Sequence, residues 1–139
     1  MRILIAEKDA TAAKQLEALV RPLGEVSRAP NGNAALAMTR LALEAGKPYE
    51  LICLEVQMPG LGGTQVLQQI RKLEAARGVS IGQRARIVMT TTLDNKKHAI
   101  EAFREQADAF LKKPIALAPL AKAIKTAGLS IPDDFANEP

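Results

Sequence analysis

The sequence predicts an α/β domain in which a parallel sheet of five short strands is covered by helices on both faces. Two observations support this fold class. Five short apolar runs alternate with stretches whose apolar residues recur at helical spacing. The run Leu51–Leu54 is continuously apolar, as expected for a strand buried on both faces. The length of 139 residues fits one domain with one core.

The first third of the chain predicts two strands around one helix. The first strand is expected over Ile3–Ala6, and Asp9 follows where it could cap a helix. That helix should stop near Pro22 and Gly24, since these residues end helices. Glu25–Ala29 then predicts a short second strand.

The middle of the chain predicts two further helices around the third strand. Asn33 is expected to open a helix that runs to Gly46, and Leu51–Leu54 is the third strand. Thr64 is expected to cap the next helix, whose apolar residues have helical spacing. The segment 77–86 is polar, and its arginines indicate an exposed, solvated connection.

The last third of the chain predicts two strands and two helices. Ile87–Met89 is the fourth strand and ends in a run of threonines, and Asp94 could cap the helix that follows. Phe110–Leu111 is the fifth strand, and Pro119 suits the first turn of a final helix. We therefore expect one domain over residues 1–127. Residues 128–139 are polar and proline-bearing, which predicts a mobile tail.

Composition narrows the function classes. The net charge of +4 comes without a dense basic run, so nucleic-acid binding is not expected. No segment has the length of a membrane span, and the apolar run at the N-terminus is too short for a signal peptide. The only cysteine, Cys53, lies in an apolar run and is interpreted as a small core residue. Because one cysteine cannot form an intramolecular disulfide, a reducing, cytoplasmic location is favoured. His98, the only histidine, is interpreted as a surface helix residue.

Polar residues follow four of the predicted strands. The carboxyl ends of parallel strands meet at one edge of a sheet, which is where open α/β domains place their chemistry. These side chains are therefore expected to lie together. They belong to Glu7, Lys8, Asp9, Glu55, Thr91 and Lys113.

These motifs, in this order, resemble the receiver domain of two-component response regulators over residues 2–127. They are the acid after I-L-I-A, the block L-E-V-Q-M-P-G, the threonines after I-V-M, and K-K-P-I near the fifth strand. The resemblance implies a flavodoxin-like, doubly wound sheet with strand order 2-1-3-4-5. It also implies a cis peptide bond at Lys113–Pro114, which proline permits at low cost.

The resemblance implies a role for each strand-end residue. In receivers, an acid after the third strand accepts a phosphoryl group, and an acid pair after the first strand helps to hold magnesium. A hydroxyl and a lysine bind the phosphoryl oxygens, and an aromatic residue on the fifth strand reports the change. The matching positions here are Glu55, the pair Glu7 and Lys8, Thr91, Lys113 and Phe110.

Two residues depart from the family pattern. Glu55 replaces the usual aspartate, and Lys8 places an ammonium where the second acid of the pair would stand. Magnesium requires oxygen ligands, so we expect no metal cofactor. Glutamate is longer by one methylene, so its charge could meet Lys113, Lys8 or Thr91 directly. The pocket would then neutralise itself without an ion or a phosphate.

We interpret the chain as a degenerate receiver, a non-enzymatic interaction module that works independently of phosphorylation. The expected partner is a sensor histidine kinase or an output protein, bound through the fourth helix, fifth strand and fifth helix. In an active-like resting state, Thr91 would be drawn toward Glu55 and Phe110 would turn inward. One alternative is a phosphorelay receiver phosphorylated at Glu55 or another residue. The other is a small flavodoxin-like nucleotide-binding protein, although A-E-K-D-A-T lacks the glycines of a phosphate loop.

Overall fold

A computed structural model describes residues 1–92 and 106–137, and it contains a five-stranded parallel sheet. The order is β2-β1-β3-β4-β5, which confirms the doubly wound arrangement. The first, third, fourth and fifth strands extend beyond the apolar runs that indicated them. The strands are β1 (Arg2–Ala6), β2 (Glu25–Ala29), β3 (Leu51–Glu55), β4 (Arg86–Thr91) and β5 (Ala109–Lys112).

Helices cover both faces of this sheet. The helices that the structure describes are α1 (Ala10–Val20), α2 (Gly32–Glu44), α3 (Gly63–Ala76) and α4 (Leu117–Thr126). One core cluster joins α1 and α4 to the sheet through residues such as Leu16 and Ile124, and the other joins α2 and α3 through residues such as Ala35 and Leu67. The helix expected after Asp94 lies outside the described residues.

Of the three predicted helix caps that can be compared, the cap of α1 is confirmed and the caps of α2 and α3 differ from the prediction. Asp9 caps α1 as predicted, accepting hydrogen bonds from backbone N–H groups of the first turn. Asn33 was expected to open α2, but Asn31 is the cap, because its side chain accepts the N–H of Ala34 at 2.8 Å. Thr64 was expected to cap α3, but the helix begins at Gly63 after an extended Gly62.

The C-terminal segment is more ordered than its composition suggested. Phe135 is buried and lies in a short 3-10 turn beside α4. Leu129 and Ile131 pack against the same core cluster. These apolar residues are spaced widely among polar ones, so composition alone indicated a mobile tail. The domain boundary after residue 127 stays a prediction.

Gly63 brings the start of α3 close to the end of β3. Its N–H donates to the carbonyl of Val56 at 2.8 Å. A Cβ at this position would lie 2.0 Å from the carbonyl oxygen of Glu55, a distance that carbon and oxygen atoms cannot adopt without movement. This glycine therefore permits the backbone contact that fixes the loop after Glu55.

We predict that Gly63→Ala lowers the free energy of unfolding by about 1–3 kcal/mol, because the methyl group must push the β3–α3 junction apart. Gly82→Ala is the matched control, since nothing lies within 4 Å of its added Cβ. Urea denaturation of both variants measures the difference. Equal midpoints for the two variants would contradict the packing described for Gly63.

Candidate functional site

Strand register places two carboxylates and a lysine at one edge of the sheet. Ala6 pairs with Leu54, so Glu7 and Glu55 end neighbouring strands side by side. The N–H of Lys113 donates to the carbonyl of Thr91, which holds the end of β5 against the end of β4. The structure thus brings Glu7, Glu55 and Lys113 together, as the strand-end pattern predicted.

Glu55 is a buried carboxylate, and both of its oxygens have hydrogen-bond or ion-pair partners within the protein. Its side chain is only 3% exposed. Oε1 lies 2.8 Å from the Lys113 ammonium and 3.6 Å from the Lys8 ammonium. Oε2 accepts the backbone N–H of Lys8 at 3.2 Å. Both oxygens therefore have positive or N–H partners, which offsets the cost of burying the charge.

Glu7 is the second buried carboxyl group of this cluster. Its Oε1 accepts a hydrogen bond from the same Lys113 ammonium that binds Glu55. Its Oε2 accepts the backbone N–H of Asp9 at 2.9 Å. Lys113 thus bridges the two carboxyl groups, and its side chain is 13% exposed. We call Glu7, Glu55, Lys8 and Lys113 the strand-end ion cluster.

The side chains of Lys8 and Asp9 have different roles at this edge: Lys8 pairs with Glu55, and Asp9 caps α1. The Lys8 side chain is 44% exposed, so its ammonium closes the cluster from the solvent side. Asp9 directs Oδ1 to the N–H of Thr11 at 2.8 Å and to that of Ala12 at 3.3 Å. Asp9 therefore serves the start of α1, which is the cap role that the sequence favoured.

The environment shifts the pKa values of the cluster in opposite directions. Burial raises the pKa of Glu7, and its hydrogen bond with Glu55 raises it further. Burial alone would raise the pKa of Glu55, but hydrogen bonds from Glu7, Lys113 and the Lys8 backbone hold it below its ordinary value. Burial opposes charge on Lys113 too, yet Glu55 and Glu7 raise its pKa. Glu55 is thus the more acidic of the two carboxyl groups.

These shifts link the cluster to stability. The pKa of Glu55 is lower in the folded protein than its ordinary value. The stability that Glu55 contributes is therefore present above its ordinary pKa and is lost as the pH falls through its folded pKa. The pKa of Lys113 is raised in the folded protein. The stability that Lys113 contributes is therefore fully present below its ordinary pKa and is lost as the pH rises through its folded pKa. Glu55 and Lys113 therefore both contribute stability between these two limits. The raised pKa of Glu7 acts oppositely, because its contribution is present below its ordinary pKa and is lost as the pH rises through its folded value.

The other predicted switch residues lie on neighbouring strands. Thr91 is buried at the end of β4. Phe110 is half-buried and packs against the core cluster on the side of α2 and α3. The peptide bond Lys113–Pro114 is cis. The roles of Thr91 and Phe110 as switch residues stay predictions.

A cleft of about 300 Å³ opens beside the ion cluster, between the end of β5 and the first turns of α1. Glu7, Lys113 and Thr90 contribute polar groups, while Leu16 and Ile115 contribute apolar ones. Thr90 was not singled out from the sequence. It is the direct register partner of Glu55, a relation that only the strand pairing reveals.

Comparison with known proteins identifies the class to which this fold and strand-end site belong. The model of the response regulator receiver domain matches residues 3–125. The chain belongs to this family and is a receiver domain of two-component signalling. This assignment decides against the nucleotide-binding alternative.

Curated relatives show the same assignment. The chain is 31% identical, over 91% of its length, to the positive alginate biosynthesis regulatory protein of Pseudomonas aeruginosa, of which it covers 47%. It is 32% identical, over 82% of its length, to the response regulator PleD of Caulobacter vibrioides, of which it covers 23%. The chain spans half or less of the length of these relatives. Within the described residues, no helix is long and apolar enough to cross a membrane.

Solved structures show the same fold. The receiver domain of the histidine kinase CKI1 from Arabidopsis thaliana, complexed with Mg²⁺ and BeF₃⁻, is 27% identical with a TM-score of 0.77, covering 91% of this chain and 88% of that one. A variant of the CKI1 receiver with one aspartate replaced by glutamate is 28% identical with a TM-score of 0.76, covering 89% and 86%.

We predict that Glu55→Gln and Lys113→Met each lower the free energy of unfolding by about 1–3 kcal/mol, because each leaves a buried charged partner uncompensated. The double variant should cost less than the sum of the two single variants, since the residues interact directly. Urea denaturation of all three variants measures this coupling. Additive costs would mean that the two charges act independently.

Proposed function

We propose that this receiver works without phosphorylation, as a protein-interaction module that Glu55 holds in a single state. The observation that carries the proposal is the engagement of both Glu55 carboxylate oxygens within the protein. A switch moves only when a ligand interacts differently with its two states. Here a resident carboxylate supplies the negative charge at all times, so no added phosphate is required.

The groups at the strand ends do not fit a magnesium ion. Magnesium prefers near-octahedral coordination by oxygen. The oxygens of Glu7 already accept hydrogen bonds from Lys113 and from the Asp9 backbone, and those of Glu55 accept from Lys113 and Lys8. Two ammonium groups also stand where a cation would have to approach. We therefore infer that the module requires no metal.

The same contacts oppose phosphoryl transfer to Glu55. An acceptor oxygen must meet the incoming phosphorus in line, and nearby cations must be free to stabilise the charge of the transition state. The Glu55 carboxylate is almost wholly buried, and the nearest cation, Lys113, is already held by two carboxyl groups. The proposal accordingly includes no enzymatic or phosphate-accepting step.

The partner surface that we favour lies around β5 and α4. A cleft of about 300 Å³ opens there, lined mainly by apolar groups of Phe110, Leu111, Pro119 and Ala123. Phe110 reaches this cleft and also packs against the core, so its position can transmit the state of the strand ends to the surface. We propose that a sensor histidine kinase or an output protein binds here, with Thr91 drawn toward Glu55 and Phe110 turned inward. In the predicted surface, α4 is the fifth helix, and the helix expected after Asp94 lies outside the described residues.

The competing proposal is a conventional phosphorelay receiver that is phosphorylated at Glu55 or another residue. The match to response regulators favours it at the level of the family. The glutamate-bearing CKI1 variant shows that an aspartate-to-glutamate change is compatible with the receiver fold. The two proposals therefore differ in chemistry and not in architecture, and a phosphorylation experiment separates them.

We predict that acetyl phosphate with magnesium adds no phosphoryl group to this protein, because Glu55 and its cations are already paired. Intact-mass spectrometry measures the outcome. The variant with both Glu55→Asp and Lys8→Asp is the matched control, since it shortens the acceptor and returns a carboxylate to the metal position. This variant should gain one phosphoryl mass. A phosphoryl gain by the unaltered chain would establish the competing proposal.

A further inference from the structure

The positive charge of this chain is concentrated in one segment. Residues 71–86 contain five basic side chains and one acidic side chain, while the rest of the chain contains fourteen of each. The whole net charge of +4 is therefore carried by the second half of α3, the connection to β4 and the first residue of β4. Such a local excess attracts a partner of opposite charge.

A buried arginine fixes the shape of this segment. Arg71 donates to Glu74 at 2.7 Å, to Asp108 at 2.9 Å, and to the carbonyls of Ala85 and Gln106. The second oxygen of Glu74 accepts the N–H of Ala85 at 2.8 Å. These contacts hold α3, the start of β4 and the approach to β5 together. The surface they support is preorganised, which lowers the entropy lost on binding.

The remaining cations of the segment have no carboxylate partner among the described residues. Arg86 donates to backbone carbonyls of the 3-10 turn Ile81–Gln83 and its neighbour, which carry no net charge. Within residues 1–92 and 106–137, no carboxylate lies within 4 Å of the charged groups of Lys72, Arg77, Arg84 or Arg86. In the part of the chain that the structure describes, the nearby acids Glu74 and Asp108 both pair with Arg71.

An open groove of about 590 Å³ runs along this basic segment. Gln68, Lys72 and Ala75 form one stripe of α3, and Val79 and Ile81 continue it into the connection. Ile81 is 76% exposed, so a large apolar side chain stands in solvent between cations. A single exposed apolar residue is common, but its place in a basic groove adds a specific contact point.

We propose that this groove, formed by α3 and the α3–β4 connection, binds an acidic segment of a partner protein through an apolar residue that packs on Ile81. Charge complementarity selects the acidic segment, and the groove's Ala75, Val79 and Ile81 select an apolar side chain within it. The groove lies toward the ends at which β4 and β5 begin, whereas the ion cluster lies where the strands end. This binding site is therefore separate from the strand-end site.

A labelled peptide of repeating Glu-Glu-Leu is the probe, with affinity measured by fluorescence anisotropy and location by amide chemical-shift mapping. We expect shifts centred on residues 68–86 and an affinity that falls as salt rises. Lys72→Glu and Ile81→Ser should each weaken binding by about tenfold, because each removes one of the two recognition elements. Both side chains are exposed, so the fold should tolerate these changes.

Lys14→Glu and Lys47→Glu are the matched controls, because they change the charge by the same amount on exposed residues away from the groove. They should bind the probe with unchanged affinity. Shifts centred elsewhere, or equal losses in the controls, would overturn the proposal. Equal or tighter binding of duplex DNA or of phosphatidylserine vesicles would also overturn it, since the groove would then recognise polyanions in general. None of these outcomes bears on phosphorylation at Glu55.

Discussion

The bridge that Lys113 forms between Glu7 and Glu55 is the interaction on which the functional edge depends. It joins the ends of β1, β3 and β5 with one ammonium group. Two buried carboxyl groups this close would repel each other if both were ionised and unpaired. The shared lysine, together with the backbone N–H groups of Lys8 and Asp9, lets both remain buried. The charge of the edge is thus balanced within the protein.

The ion pairs of the strand-end cluster lie at the positions that the receiver family uses for its chemistry. The sheet delivers a carboxylate, a lysine and a threonine-rich strand end to one edge, as the family pattern implies. In the function proposed above, the longer side chain of Glu55 and the ammonium of Lys8 occupy the positions at which a receiver would bind a phosphoryl group and a metal ion. An edge of this kind stabilises a fixed surface. The proposal of a constitutively recognised module rests on this property.

The strand-end residues could be predicted because each follows an apolar run, and parallel topology then requires them to meet. The pairing within the cluster could not be predicted fully. The sequence offered Lys113, Lys8 and Thr91 as partners of Glu55, and only the backbone turn after β1 shows that Lys8 contributes an N–H as well as an ammonium. The sequence predicts the start of α2 at Asn33 because Pro30-Asn31-Gly32 has the composition of a turn, whereas Asn31 itself caps the helix. The Arg71 contacts join residues far apart in sequence, and no local pattern indicates them.

The most direct test of the ion cluster is a titration of the glutamate side-chain carboxyl carbons by NMR. We predict two separated apparent midpoints, one below the ordinary glutamate value, dominated by Glu55, and one above it, dominated by Glu7. In Lys113→Met the lower midpoint should rise, because the bridging ammonium is lost. If both carboxyl groups titrate at the ordinary value, and Lys113→Met changes neither midpoint, the cluster does not exist in solution and Glu55 is not held by its neighbours.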